Sequence, residues 1–464
     1  SMSGTFEDID VPPTLVSFAI STGDARTVIS PEFKQIGSTV ILVLPKYNAD
    51  GTPDFESVKN VFTRVEKMIQ DGQVLSAWTL GFGGVSEAVF KMALGNRVGF
   101  KFAKQLPCEL LFNPVYGGFV LELAGGVAAS EEEIIGMTLI QPVLENADGK
   151  KFSMIDEFQK AYEERLEKVF PCNIETSDKP VEKYSYVAQH RPAPAVKVAS
   201  PRVLIPVFPG TNCEYDTQRA FERAGANTDI FVINNLSSAA IEESVDEFAK
   251  RLRKAQIVMI PGGFSGGDEP DGSGKFITAF FRNPRIKDGV HELLKNRDGL
   301  MLGICNGFQA LIKLGLVPYG EIVEMTEDSP TLTFNSIGRH QSRMVMTRIA
   351  SNKSPWLAHT NVGDYHSVPI SHGEGRFAAS DEWVRILAKN GQIATQYVDL
   401  TGQPTYDIRF NPNMSAAAIE GITSPDGRVL GKMAHSERAG ENIAKNIDGD
   451  KDQMIFKSGV EYFR

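Results

Sequence analysis

The spacing of apolar residues changes character along the chain. Thr39-Val40-Ile41-Leu42-Val43-Leu44 is an unbroken apolar run that predicts a buried strand. Phe55, Val58, Phe62, Val65 and Ile69 then recur at intervals of three and four, which predicts a helix burying that stripe. Val85, Val89 and Met92 mark a second helix, entered through Gly81-Phe82-Gly83-Gly84, and residues 119–123 read as a strand. Ser153 with Asp156 has the form of a capping box. It opens a helix whose apolar stripe is Ile155, Phe158, Tyr162 and Val169. Periodicity stops over residues 171–200, where Pro171, Pro180, Pro192 and Pro194 are interspersed with lysines. That stretch is the expected linker, between a first domain over 1–170 and a second over 201–464.

From residue 202 the rhythm is strand, helix, strand, helix. Residues 203–208 predict a strand, and a helix carrying Cys213, Thr217, Ala220 and Ala224 on one face ends at Gly225. A strand over 228–233, a helix over 239–254, a strand over 256–260, a helix near 275–296 and a strand over 299–304 follow. This alternation predicts an α/β domain with a parallel sheet covered by helices on both faces. Ligands then sit beyond the carboxyl ends of the strands. Two glycine-bearing segments lie at such ends: Pro261-Gly262-Gly263-Phe264-Ser265-Gly266-Gly267-Asp268 and Gly303-Ile304-Cys305-Asn306-Gly307.

Composition narrows the class. The 464 residues carry a net charge of −10, which argues against a general nucleic-acid surface. Four scattered cysteines form neither a disulfide framework nor a Cys-x-x-Cys pair, so a reducing, cytoplasmic setting is expected. No run of 18 uncharged apolar residues is present, so no membrane partner is expected. Ser1 precedes the first methionine, so either it is an added residue or the chain is cut from something longer.

The run 303–307 has the glycine-x-nucleophile-x-glycine form of a strand-to-helix elbow, with Cys305 as the candidate nucleophile. The glycines permit the sharp turn, and the helix N-terminus aims the Asn306 amide at a developing oxyanion. A cysteine nucleophile needs a histidine, and the histidine an orienting acid. The chain offers two His-x-Glu pairs, His372 with Glu374 and His435 with Glu437, and their spacing alone does not choose between them. The run 262–267 lacks the glycine-lysine-hydroxyl ending of a phosphate loop. Beside the elbow it reads as backbone support for a carbonyl oxygen.

Five segments occur in one order: Phe208-Pro209-Gly210-Thr211-Asn212-Cys213, Gly262-Gly263-Phe264-Ser265, Gly303 to Gln309, Ser371-His372-Gly373-Glu374-Gly375 and His435-Ser436-Glu437-Arg438. Together they resemble the glutaminase domain of the phosphoribosylformylglycinamidine synthases, a class I glutamine amidotransferase family of purine biosynthesis. The resemblance implies Cys305, His435 and Glu437 as a catalytic triad, with Ser436 where the class usually has proline. It also implies Gly263, Phe264, Asn306, Gln309, His372 and Glu374 around glutamine and the oxyanion.

Gly83-Gly84-Val85-Ser86-Glu87-Ala88 and Phe112-Asn113-Pro114-Val115-Tyr116-Gly117-Gly118 give the first domain an α+β resemblance to the C-terminal domain of aminoimidazole ribonucleotide synthetase, the last lobe of the synthase region. Many relatives carry Asp-x-Ser-Asp where this chain has Thr79-Leu80-Gly81-Phe82, so no metal ligand is expected here. By this resemblance the glutaminase domain needs no cofactor. ATP and magnesium serve the full synthase reaction, and the partners are glutamine and the remaining synthase lobes. The alternatives are a class I amidotransferase serving another synthase and a non-catalytic scaffold.

Overall fold

The computed structural model describes residues 2–6, 9–15, 17–172, 174–177, 179–265 and 273–464. They divide into two compact units, Ser1–Lys168 and Val169–Arg464.

The first unit is built on a seven-stranded sheet, antiparallel except where 99–102 pairs in parallel with 143–145. The strand Thr39–Val43 lies inside it. Val40 and Leu42 pack into one apolar cluster with Val85, Val89 and Met92, whereas Ile41 and Val43 pack into another with Val61 and Val65. Alternate residues of a strand face opposite ways, so the unbroken apolar run reflects a strand covered on both faces. The helix Phe55–Gln70 buries Val61 and Val65, while Phe55 and Phe62 at the predicted stripe stay largely exposed. The last helix is Ile155–Glu164, capped by Glu157 reaching back to the Met154 amide at 3.2 Å. Asp156 makes no such cap. It pairs with Arg97, and Val169 lies beyond the helix, exposed.

In the second unit we number the elements of the main sheet and its helices in chain order. These are β1 (Arg202–Val207), α1 (Glu214–Arg223), β2 (Asn227–Val232), α2 (Ser238–Leu252) and β3 (Ile257–Ile260), followed by α3 (Lys275–Phe281) and α4 (Pro284–Lys295). Next come β4 (Leu300–Ile304), α5 (Asn306–Leu314), β5 (Gln341–Ile349), β6 (Tyr365–His372) and α6 (Asp381–Lys389). The last are β7 (Ile393–Val398), β8 (Ile419–Thr423) and β9 (Val429–Lys432). The single helix expected near 275–296 is two helices. Pro284 cannot continue a helix from within, and Asn283 caps the second through the Arg285 amide at 3.1 Å.

Strand order is β2-β1-β3-β4-β9-β8-β7-β5-β6. The half from β2 to β9 is parallel, as the strand–helix alternation predicts. Beyond β9 every pairing is antiparallel, an extension absent from the expected architecture. The chain moves one way from β1 to β2 and the other way from β2 to β3, so right-handed crossovers put α1 and α2 on opposite faces. That reversal creates a switch point between β1 and β3, where the loops after these strands part and leave a crevice. Residues 179–200, within the expected linker, carry no helix or strand but are laid onto this unit. The Tyr186 amide donates to Ala350 O at 2.8 Å, and Arg348 holds the Tyr184 carbonyl at 2.6 Å.

Candidate active site

Cys305 follows β4 and precedes α5, with φ 53° and ψ −108°. A positive φ is costly for a residue with a Cβ, and such strain persists only where packing over-determines it. Two glycines supply that packing. A Cβ on Gly307 would lie 2.0 Å from the Ile260 carbonyl oxygen, and one on Gly303 would lie 2.6 Å from the Gly307 backbone. The elbow therefore closes only with glycine at both places. The Cys305 amide donates to Lys432 O of neighbouring β9 at 2.9 Å, and its thiol faces Ser371 O at 3.6 Å. Asn306 is the first residue of α5, where amides lack an intrahelical acceptor.

β4 and β9 are parallel neighbours, so the residues following each emerge side by side. His435 comes just after β9. Its Nδ1 lies 2.5 Å from Glu437 Oε1, and both side chains are almost wholly buried. Residues 436–438 form a single 3-10 turn, so the pair meets across a turn and not along an extended segment. Burial pushes His435 towards neutrality. The Glu437 carboxylate and then the Cys305 sulfur outweigh it and hold the imidazole pKa well above its ordinary value. Burial likewise opposes ionisation of Glu437, but His435 draws its pKa below the ordinary value. Ser436 is tied to Gln453 Oε1 at 2.6 Å, which fixes the turn without the usual proline.

The other His-x-Glu pair is not a couple. Glu374 Oε2 accepts the Ser273 amide at 2.9 Å, while both ring nitrogens of His372 are buried with no hydrogen-bond partner among the described residues. Burial first, then the nearby His435 and His340, push the His372 pKa down to about 3. Asn306, Gln309 and Glu374 share one buried network: Asn306 Nδ2 donates to Gln309 Oε1 at 2.9 Å, and Gln309 Nε2 to Glu374 O at 2.6 Å. Asn306 Oδ1 also accepts the Ser265 amide at 3.3 Å.

The loops after β1 and β3 meet over the switch point. Gly263, with φ 148°, bridges Thr211, and the Phe264 amide donates to Gly210 O at 2.8 Å and is thus already committed. The Phe264 ring is part-exposed beside His340, 6.2 Å between centroids. Gly266, Gly267 and Asp268 of the glycine run lie outside the described residues. Gly262 faces the reacting groups directly: a Cβ there would fall 2.8 Å from His435 Cε1, 3.2 Å from Cys213 Sγ and 3.4 Å from Cys305 Cβ.

Cys213, which the sequence places on a helix face and at the end of the family-like segment from Phe208, caps the start of α1. Its sulfur lies 3.9 Å from His435 Nδ1 and 3.4 Å from the Arg438 guanidinium. Cys213, His435 and Glu437 present ligand-type atoms within 4.8 Å of one another. The His435 nitrogen in that group is engaged by Glu437, and Arg438 would oppose a dication, so this donor set fits a charged imidazole better than a metal. No helix among the described residues is long and apolar enough to cross a membrane.

Comparison with known proteins gives this geometry a family. The sequence profile of the CobB/CobQ-like glutamine amidotransferase domain matches residues 200–463. A protein of Methanococcus maripaludis named phosphoribosylformylglycinamidine synthase subunit PurQ is 36% identical over 57% of this chain and 97% of its own length. Its namesake from Aquifex aeolicus is 33% identical over 52% of this chain and 93% of its own length. Among solved structures, PurLQS from Thermotoga maritima is similar at 24% identity and a TM-score of 0.42, covering 57% of this chain and all of that one. The sharp elbow at Cys305 and the parallel half-sheet beneath it thus accompany a match over most of the second unit, and the chain belongs to the CobB/CobQ-like glutamine amidotransferase family.

Proposed function

We propose that the second unit hydrolyses glutamine to glutamate and ammonia, with Cys305 as nucleophile, His435 as proton carrier and Glu437 as the acid that orients it. The observation that carries this reading is the buried 2.5 Å contact between His435 and Glu437, at the end of the strand that also receives the Cys305 amide. The sulfur attacks the side-chain amide carbon, and His435 delivers the proton that lets ammonia leave. Water, deprotonated by His435, then opens the thioester to give glutamate and restores the thiol. The Asn306 amide, at a helix N-terminus, and the Gly263 amide are the donors for the oxyanion. His372, neutral and buried, shapes the pocket floor with Gln309 and Glu374, and Phe264 forms part of its rim.

The ammonia serves the synthase reaction named for the relatives, in which formylglycinamide ribonucleotide becomes the amidine at the expense of ATP. The names of the PurQ relatives support this destination. ATP and magnesium belong to the synthase lobes, which are the protein partners. The first unit is the last of these lobes, and the second requires no cofactor. Labelling with a glutamine-analogue electrophile tests the reading. Cys305 should be the modified residue, and Cys305→Ala should abolish both labelling and glutamate release. Unchanged glutaminase in that variant would sink the proposal.

A further inference from the structure

Under the site lies an ion pair that the glutaminase chemistry does not itself use. Lys432 Nζ stands 3.3 Å from Glu420 Oε1, with the two side chains 1% and 0% exposed. Both belong to the sheet: Lys432 ends β9, and Glu420 is in antiparallel β8. Replacing such a pair by apolar residues of similar volume is often neutral or stabilising, so stability alone does not account for charges here.

What the pair grips is informative. Glu420 Oε1 accepts the Ala434 amide at 2.6 Å, and Lys432 Nζ donates to the Ala434 carbonyl at 2.6 Å. Both polar groups of the residue preceding His435 are thus held by the two charges. Glu420 is fixed in turn by the Thr395 hydroxyl on its other oxygen. The backbone of Lys432 contributes a third hold, because its carbonyl accepts the Cys305 amide. One buried pair therefore touches the frame of the nucleophile and that of its base.

We propose that Glu420 and Lys432 are positioning residues for the glutaminase step, setting the reach of His435 to Cys305 through the Ala434 backbone. The inference rests on the assignment of Cys305 and His435 as the reacting pair. Misplacement of about 1 Å at a reacting pair costs on the order of 100-fold in rate, so loosening this frame should appear in kcat and not in substrate affinity.

The test uses the full chain and the double variant Glu420→Leu/Lys432→Met, read by thermal melting, by kcat and KM for glutamine, and by the rate of Cys305 labelling with a glutamine-analogue electrophile. The expected result is a folded protein with KM nearly unchanged, and with kcat and labelling rate both down by about 10- to 100-fold. A second comparison covers the case in which the double variant does not fold. Glu420→Gln keeps an acceptor for the Ala434 amide and should retain most of the activity that Glu420→Ala loses. A folded double variant with wild-type kcat, or equal activity in Glu420→Gln and Glu420→Ala, overturns the inference. Failure of the underlying assignment looks different, because wild-type protein would then show no labelling at Cys305.

Discussion

His435 Nδ1 and Glu437 Oε1 approach to 2.5 Å inside the protein, and each holds the other in its charged form. The sign of the resulting pH dependence follows from the two directions. His435, raised, contributes stability fully below its ordinary value of 6.5 and loses it as pH rises through the raised value. Glu437, lowered, contributes fully above 4.5 and loses it as pH falls through the lowered value. The stability lost in Glu437→Gln should therefore be greatest between those two ordinary values and shrink on either side, as chemical denaturation across a pH series would record. The same variant should lower glutamate release by about 100-fold or more, since a general base that is neither oriented nor charged at the right moment loses most of its contribution.

His372 titrates the opposite way. Its pKa of about 3 means that below pH 6.5 the unfolded chain takes up a proton which the folded one refuses. Stability is then lost at up to about 1.4 kcal/mol per pH unit between those values. His372→Asn should flatten this acid limb, and the melting temperature measured from neutral pH down to about pH 4 checks it. An acid limb as steep as that of the wild type would show that His372 finds a partner in solution.

Two glycine substitutions should separate folding from chemistry. In Gly307→Ala the new carbon meets a backbone oxygen of β3 at 2.0 Å, which cannot yield cheaply, so the protein should misfold or lose several kcal/mol. In Gly262→Ala the nearest atoms are side chains, His435 Cε1 foremost, which can move. That variant should fold, as judged by melting, but lose roughly 100-fold in glutaminase rate because the imidazole is displaced.

The first four strands of the parallel half were legible, most clearly the two central ones, which are apolar throughout. Residues 257–260 and 300–304 are buried on both faces and read as unbroken runs. The antiparallel half was not. β5 carries Gln341, Ser342, Arg343, Thr347 and Arg348, and its buried positions do not alternate cleanly. Pro284 inside an otherwise helical pattern was the available signal that 275–296 is two helices. The elbow made Cys305 legible as a candidate. Local pattern did not choose between His372 and His435; the family resemblance pointed to His435, which follows β9, the parallel neighbour of β4. Lys432 carried a signal of its own, a lysine closing an apolar strand, but its partner Glu420 is set by strand register, which local spacing does not reveal.

The position of β9 in the sheet has a consequence for synthesis on the ribosome. It is the last main-sheet strand to be made, yet it lies in the middle, between β4 and β8. A nascent chain that has already formed the Cys305 elbow still lacks the strand that receives the cysteine amide and delivers His435. If Cys305 and His435 act as proposed, an unfinished polypeptide cannot release ammonia from glutamine until the central gap in the sheet is filled.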